Sequence, residues 1–284
     1  MDTVVPLRLP NGRTAEVVGD VDDLTVVKPL QASGGDWEPH VRAVLERLVR
    51  PSWVCLDVGA NIGAHTLTMA VLASSSRVVA FEASPRIARY LRLNVDRLPQ
   101  PKAEITAVEC ALWNSEGSVS LAELVDFAGG TAFVAGQTPQ TVDLDGVQVT
   151  RPVGDRDAVL TVFVGAVSAI RLDHWARRDG LKRVDLIKLD VEGAETHVLA
   201  GAAQTLERFR PILLTEYNPR CAAYFGEPPD AYFRLLGRLY TSVRLIEPDG
   251  SLSELPDWET LEARLEQGKG WEDLLCEPSR ATRG

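Results

Sequence analysis

The 284-residue sequence contains no apolar run approaching the ~18 residues needed to cross a bilayer, so it is not read as a membrane-spanning chain. Basic charge is scarce as well. Thirty Lys and Arg stand against 40 Asp and Glu, a formal net charge of -10. Nucleic-acid backbones and anionic membranes attract clustered cations, so neither is expected as a partner, and acidic substrates are disfavoured outside a local basic pocket. There are only four cysteines, and they are scattered. Cys55 and Cys110 lie inside apolar runs, where a thiol behaves as a small hydrophobe, so no disulfide framework is expected. The chain opens with no basic-plus-apolar leader, and the expected compartment is the cytoplasm.

What the sequence does contain is a regular alternation of strand and helix patterns. Residues 1–36 alternate apolar and polar around Pro10-Asn11-Gly12, which predicts a strand-turn-strand hairpin serving as a lid or an edge extension. Val41, Val44, Leu45 and Leu48 recur at helical spacing before Pro51. Strands are then expected at 53–58, 77–82 and 104–110, with helices at 63–74 and 85–97 between them. Another strand ends at Asp190, followed by a helix at 193–208, a strand at 211–216, a helix at 229–239 and a strand at 242–247. The strand patterns are continuously apolar rather than alternating, as in strands covered on both faces, and their order predicts a mostly parallel sheet with right-handed crossovers. Between about 115 and 165, Gly129-Gly130, Thr138-Pro139 and Asp145-Gly146 punctuate short β-like runs, read as an inserted β-rich flap. The expected organisation is a hairpin extension at 1–36, an α/β core at 37–253 that carries the flap, and a charged, partly helical tail at 254–284.

The chemistry concentrates at the ends of these strands. Glycines at 59 and 63 allow a sharp strand-to-helix turn and close approach of a ligand to the backbone. Glu82 ends the next strand about 20 residues after the loop, where a carboxylate accepts hydrogen bonds from both ribose hydroxyls. A dinucleotide-binding loop would carry a glycine where this chain has Asn61, and Asp57 would repel a pyrophosphate while suiting the ammonium of a methionine moiety. S-adenosyl-L-methionine therefore fits better than NAD. An NAD-dependent oxidoreductase and a catalytically inactive nucleoside-binding module remain as rival readings.

Three stretches resemble the FkbM-type methyltransferases. They are Asp57-Val58-Gly59-Ala60-Asn61-Ile62-Gly63-Ala64-His65-Thr66, then Val79-Ala80-Phe81-Glu82-Ala83-Ser84-Pro85 with Asn94, and Asp185 through Glu195 followed by Val198-Leu199-Ala200-Gly201-Ala202 and Arg210 through Glu216. With Trp37-Glu38-Pro39 they span about residues 37–218. The resemblance implies a Rossmann-like class I methyltransferase fold with helices on both faces, and methylation of a hydroxyl on a sugar, polyketide or other small specialised metabolite. A nitrogen acceptor stays open. It also implies that Asp57, Gly59, Asn61 and Gly63 line the methionine part of the cofactor and Glu82 its ribose. The segment Cys110-Ala111-Leu112 would flank adenine, and Glu38, Thr66, Ala83 and Asp190 would complete the cofactor set. Residues 134–160 look longer and more polar than the family minimum, which bears on the acceptor side.

Methyl transfer from a sulfonium needs alignment of the reactants and a group that manages the acceptor proton. The candidates are Asp190, then Glu216 at the next strand end, then His197 one helical turn further on. Glu195 also reads as an ordinary helix-capping carboxylate. Of the other histidines, His40 and His174 read as ordinary helix or loop residues, and only His65 adjoins the loop. Asp190, Glu216 and Asn218 offer hard oxygen ligands suited to Mg²⁺, but no metal is assigned. The aromatics between Tyr217 and Phe233, with Gly226 and Pro228-Pro229, suggest a loop covering an acceptor pocket. A homodimer is compatible with the sequence but nothing in it fixes the oligomeric state.

Overall fold

The computed structural model describes residues 1–124, 127–133, 141–144, 147–150 and 161–279, and between 122 and 164 it describes strands without their side chains. The chain opens with an antiparallel hairpin of β1 (Asp2–Arg8) and β2 (Thr14–Asp20), turning at Pro10–Gly12. The helices α1 (Val27–Ser33) and α2 (Pro39–Leu48) lead into β3 (Val54–Val58), α3 (Ala64–Leu72), β4 (Arg77–Glu82), α4 (Pro85–Arg97) and β5 (Glu104–Glu109). The short β6 (Ala111–Leu112) opens the inserted sheet, with β7 (Gly117–Leu124), β8 (Phe127–Phe133), β9 (Thr141–Leu144), β10 (Val147–Thr150) and β11 (Thr161–Ile170). The core resumes with α5 (Leu172–Arg178), β12 (Leu186–Leu189), α6 (Glu195–Gly201), α7 (Ala203–Phe209) and β13 (Ile212–Tyr217). It closes with α8 (Pro219–Ala222), α9 (Ala231–Leu239), β14 (Ser242–Ile246), β15 (Leu252–Glu254), α10 (Trp258–Gln267) and β16 (Glu272–Glu277).

The main sheet has the order β15-β14-β16-β13-β12-β3-β4-β5. Neighbours from β13 to β5 pair in parallel, whereas β16 is antiparallel to both β13 and β14. The chain moves outward from β3 to β4 and β5, then returns to the other side of β3 with β12. That reversal is a topological switch point, and the crevice beyond the carboxyl ends of such strands is where open α/β sheets bind ligands.

Alternate residues on each strand feed two separate cores, which explains the continuous apolar runs. On one face Cys55, Val78, Leu186, Leu214 and Leu275 pack against α2, α3 and α4. On the other, Leu56, Val79, Ile187, Leu213 and Leu274 pack against α5, α6, α9 and α10. Fully burying a leucine or valine of this kind stabilises by about 1.5–3 kcal/mol, so two-sided burial fixes both register and order.

Several details differ from the sequence expectation. The hairpin extends no edge of the main sheet but forms a two-stranded sheet of its own, docked through the buried Asn94 amide on α4, which donates to the carbonyls of Val18 and Ile62 (3.0 and 2.8 Å) and accepts from the Val18 N–H. The C-terminal segment is not simply a charged tail, because β16 lies between β13 and β14 within the sheet. The helix expected over 193–208 is broken into α6 and α7. At that break, Gly201 packs so closely on β6 that a Cβ there would stand 1.9 Å from the Trp113 carbonyl oxygen. All four cysteines are free thiols. Among the described residues no helix is long and apolar enough to cross a membrane.

Candidate active site

The loop after β3 is shaped by a close approach of Gly59 to β12 and by backbone hydrogen bonds to β4. Gly59 has φ +81, and a Cβ there would lie 1.7 Å from the Asp190 carbonyl oxygen, so β3 and β12 can close together only over a glycine. The N–H groups of Gly59 and Ala60 both donate to the Phe81 carbonyl, tying the loop to β4 (3.0 and 2.9 Å). Asn61 takes a left-handed conformation, and its N–H donates to Glu82 Oε2 at 2.9 Å. The Ser84 N–H donates to the other oxygen, Oε1, at 2.8 Å. Glu82 thus holds the glycine loop and the entrance to α4 together while its carboxylate lines the cavity beside them.

That cavity, of about 590 Å³, opens beyond the carboxyl ends of β3, β4, β12 and β13. One end is walled by Gly59 to Ile62, Phe81, Glu82, Ala83 and Cys110 to Leu112. Thr25, Val26, Trp37 and Glu38 reach it from the N-terminal segments, and Asp190, Glu192, Glu216, Asn218 and Trp271 surround the opposite end. Asp57 and Lys188 lie at its base.

The electrostatics of the cavity follow from strand register. Lys188 pairs with Asp57 of β3, and Glu216 of β13 pairs with Asp273 of β16, so a row of ionisable groups crosses neighbouring strands. Asp57 is buried, and its Oδ2 accepts from the Thr66 hydroxyl at 2.5 Å. Its Oδ1 is buried with no hydrogen-bond partner among the described residues. Lys188 donates to Asp190 Oδ2 at 2.8 Å. Burial opposes the charge on Lys188, but Asp190, Asp57 and Glu38 outweigh it and raise its pKa. Burial also disfavours the Glu38 carboxylate, yet the His65 ring 2.6 Å away reverses this and lowers its pKa to about 2. His40 pairs with Asp273 at 2.8 Å.

Glu216 stands between these pairs with no side-chain partner among the described residues. Burial, reinforced by Asp190, Glu192 and Asp273, pushes its carboxyl up to about 10. Burial and Asp190 likewise raise Glu192 to about 8. Glu195, raised by burial to about 7, accepts from the Val191 and Gly193 N–H groups. It holds together the turn that leads into α6, its two partners lying ahead of the helix rather than within it.

Residues 57–239, more than half of the chain, match the methyltransferase FkbM domain. The chain belongs to the FkbM methyltransferase family. It is 30% identical over 191 residues to the 2-O-methyltransferase NoeI of Sinorhizobium fredii, covering 66% of this chain and 72% of that protein. It is 28% identical over 207 residues to the 31-O-demethyl-FK506 methyltransferase FkbM of Streptomyces tacrolimicus, covering 70% and 76%. The solved FkbM methyltransferase of Methylobacillus flagellatus aligns with a TM-score of 0.41 at 17% identity, over 81% of this chain and 44% of that one. The chain is accordingly an enzyme, an adenosylmethionine-dependent methyltransferase with the class I Rossmann-like architecture.

On this FkbM-family framework most residues expected at the site converge on the cavity: Glu38, Asp57, Gly59, Asn61, Glu82, Ala83, Ala111, Leu112, Asp190 and Glu216 all line it. Three do not. Gly63 caps α3 with φ +99 beneath the loop, where its Cα faces Leu91. Thr66 is buried one turn into α3 and acts on the cavity only through Asp57. His197 is the correction to the catalytic set: its ring stacks on Trp113 at 4.3 Å and its Nδ1 meets the Asn114 amide, outside the cavity. The helical phase of α6 turns that face toward β6 rather than toward the strand ends.

Sequence reasoning missed Lys188 and Trp271 as wall residues. The signal for Lys188 was present, a lysine in an otherwise apolar strand two residues before Asp190, and period-two geometry puts the two on one face. Trp271 arrives only because β16 enters the sheet. Of the acceptor-side aromatics, Tyr217 and Tyr232 are buried and stack at 5.4 Å, whereas Tyr224 is exposed. Of residues 134–160, on which the expectation of a longer and more polar flap falls, only 141–144 and 147–150 are described, so that expectation lies largely outside the described residues. Among the described residues, no three His, Cys, Asp or Glu side chains gather as a metal-binding group.

Proposed function

We propose that this enzyme methylates a hydroxyl of a small polyhydroxylated acceptor, such as a sugar unit or another specialised metabolite, with S-adenosyl-L-methionine bound along the glycine loop. The observation that carries the proposal is the division of labour within one cavity. At the base, on the side of the glycine loop, a buried carboxylate oxygen, Asp57 Oδ1, has no hydrogen-bond partner among the described residues, and Glu82 lies at the neighbouring strand tip. At the other end stand the carboxyl groups of Asp190 and Glu216. A ligand with an ammonium group and a ribose diol matches the loop side, the ammonium donating to Asp57 Oδ1. Ala83, Ala111, Leu112 and Phe81 offer an apolar slot for adenine beside Glu82.

When bound, adenosylmethionine supplies a methyl group already activated by a sulfonium. The chain's own residues then have two tasks, alignment and proton handling. Glu216, with its carboxyl pushed up to about 10, carries a proton at neutral pH and donates it in a hydrogen bond that orients the acceptor. Asp190, held by the Lys188 ammonium, takes the hydroxyl proton as the oxygen attacks. The NoeI and FkbM relatives, whose names record O-methylation, support an oxygen acceptor.

The test is transfer of labelled methyl from adenosylmethionine to a panel of nitrophenyl glycosides, alicyclic diols and primary amines. Label on an alcohol or sugar oxygen is the expected result. Label confined to amines, or to no member of the panel, overturns the assignment of an oxygen acceptor.

A further inference from the structure

The apolar packing of β12 gives no reason for a lysine at 188. Lys188 occupies the interior of β12 with Leu186, Ile187 and Leu189 all buried around it, and it is itself only 6% exposed. An apolar side chain of similar volume would serve such a strand at least as well, because a buried ion pair seldom stabilises more than the hydrophobic residues it replaces. The lysine is therefore best explained by what its charge does. Its register partner is Asp57, yet the hydrogen bonds divide differently: Asp57 Oδ2 is taken by Thr66, and the ammonium reaches along its own strand to Asp190 Oδ2. The floor of the cavity thus provides a fixed cation beside Asp190 and a buried Asp57 Oδ1 with no hydrogen-bond partner among the described residues.

We infer that Lys188 is a positioning residue for methyl transfer, whose ammonium fixes the Asp190 carboxylate at the acceptor end of the cavity. The inference rests on the reading of Asp190 as proton acceptor. A free aspartate at a strand tip samples several rotamers, only some of which meet an incoming hydroxyl. An ammonium buried by the same strand removes that freedom without occupying the space where the acceptor stands. Lys188 touches no reacting atom on this account and acts only through Asp190.

The experiment compares Lys188→Met, Lys188→Arg, Asp190→Asn and the double variant, using the panel member that accepts label. Adenosylhomocysteine affinity is measured in each variant, and its binding certifies the fold. Lys188→Met is expected to lower kcat by about 10–100-fold with adenosylhomocysteine affinity within about threefold of wild type. Lys188→Arg, which restores a cation, should recover part of that loss. The double variant should be no slower than Asp190→Asn alone, since a residue that acts only through Asp190 has nothing left to position. If Lys188→Met does not fold, Lys188→Arg and Lys188→Gln carry the same comparison. Wild-type kcat in a folded Lys188→Met or Lys188→Gln variant, while Asp190→Asn is slow, overturns the inference alone. Losses that multiply in the double variant also overturn it. Undiminished turnover in Asp190→Asn instead removes the proton-acceptor reading on which it rests.

Discussion

Replacing Glu82 by alanine separates two contributions that the structure places on one carboxylate. In the free protein, Glu82 accepts from the backbone N–H groups of Asn61 and Ser84 at 2.9 and 2.8 Å, and it is 7% exposed. Each is a hydrogen bond to a charged acceptor, typically ~1.5–3 kcal/mol when its partner is left buried. Solvation of the freed N–H groups from the cavity recovers part of this, so the free enzyme should lose about 2–3 kcal/mol of stability. In the complex, the same carboxylate is assigned to the ribose, and its loss there should cost a further ~2–3 kcal/mol. That corresponds to a roughly 30- to 150-fold rise in the Kd for adenosylhomocysteine. Denaturant unfolding of the free protein reads the first quantity, and calorimetric titration reads the second. A variant that is destabilised yet binds adenosylhomocysteine as tightly as wild type would show that Glu82 is a loop clamp only, and the ribose assignment would be wrong.

Three further outcomes follow from the same geometry. Asp190→Asn should lower turnover by about 10²–10⁴-fold while adenosylhomocysteine affinity stays within about threefold, as read by labelled-methyl transfer and calorimetry. Gly59→Ala should abolish cofactor binding and destabilise the fold by at least ~3 kcal/mol, since the new Cβ would collide with the Asp190 carbonyl; a folded, cofactor-binding variant would contradict the loop geometry. Glu216→Gln should stabilise the free protein at pH 8, with a gain of roughly 2–4 °C in Tm for each 1 kcal/mol. The sign comes from linkage. A carboxyl raised to about 10 binds its proton more tightly folded than unfolded, so it removes stability progressively as pH rises from about 4.5 towards 10. The variant's advantage should therefore grow with pH over that window and vanish below pH 4, and a pH-independent difference would refute the burial argument.

The parts of the fold that the sequence disclosed are those governed by local rules. Two-sided burial makes β3, β4, β12 and β13 read as apolar runs, and Gly59 and Glu82 punctuate their ends at positions the chain topology then brings together. What escaped depends on long-range pairing. The strand Glu272–Glu277 resembles a charged tail until it is seen between β13 and β14, and without it neither Trp271 nor Asp273 has a reason to approach the site. His197 was misplaced for a related reason. Helical periodicity gives its phase relative to Val198 and Leu199 but not which neighbour that face meets, and the neighbour is Trp113 of the inserted sheet's approach. Thr66 and Gly63, expected to line the cofactor, lie one layer behind the cavity wall. The helix α1, hidden in a stretch read as hairpin, is initiated by Asp23, whose carboxylate accepts from the Val26 and Val27 N–H groups.

The most direct measurement is a crystal structure with adenosylhomocysteine bound. It should place the ribose hydroxyls within hydrogen-bonding distance of Glu82, the amino group on Asp57 Oδ1, and the sulfur pointing toward Asp190 and Glu216. A nucleoside seated elsewhere, or with its amino group remote from Asp57 Oδ1, would contradict the account.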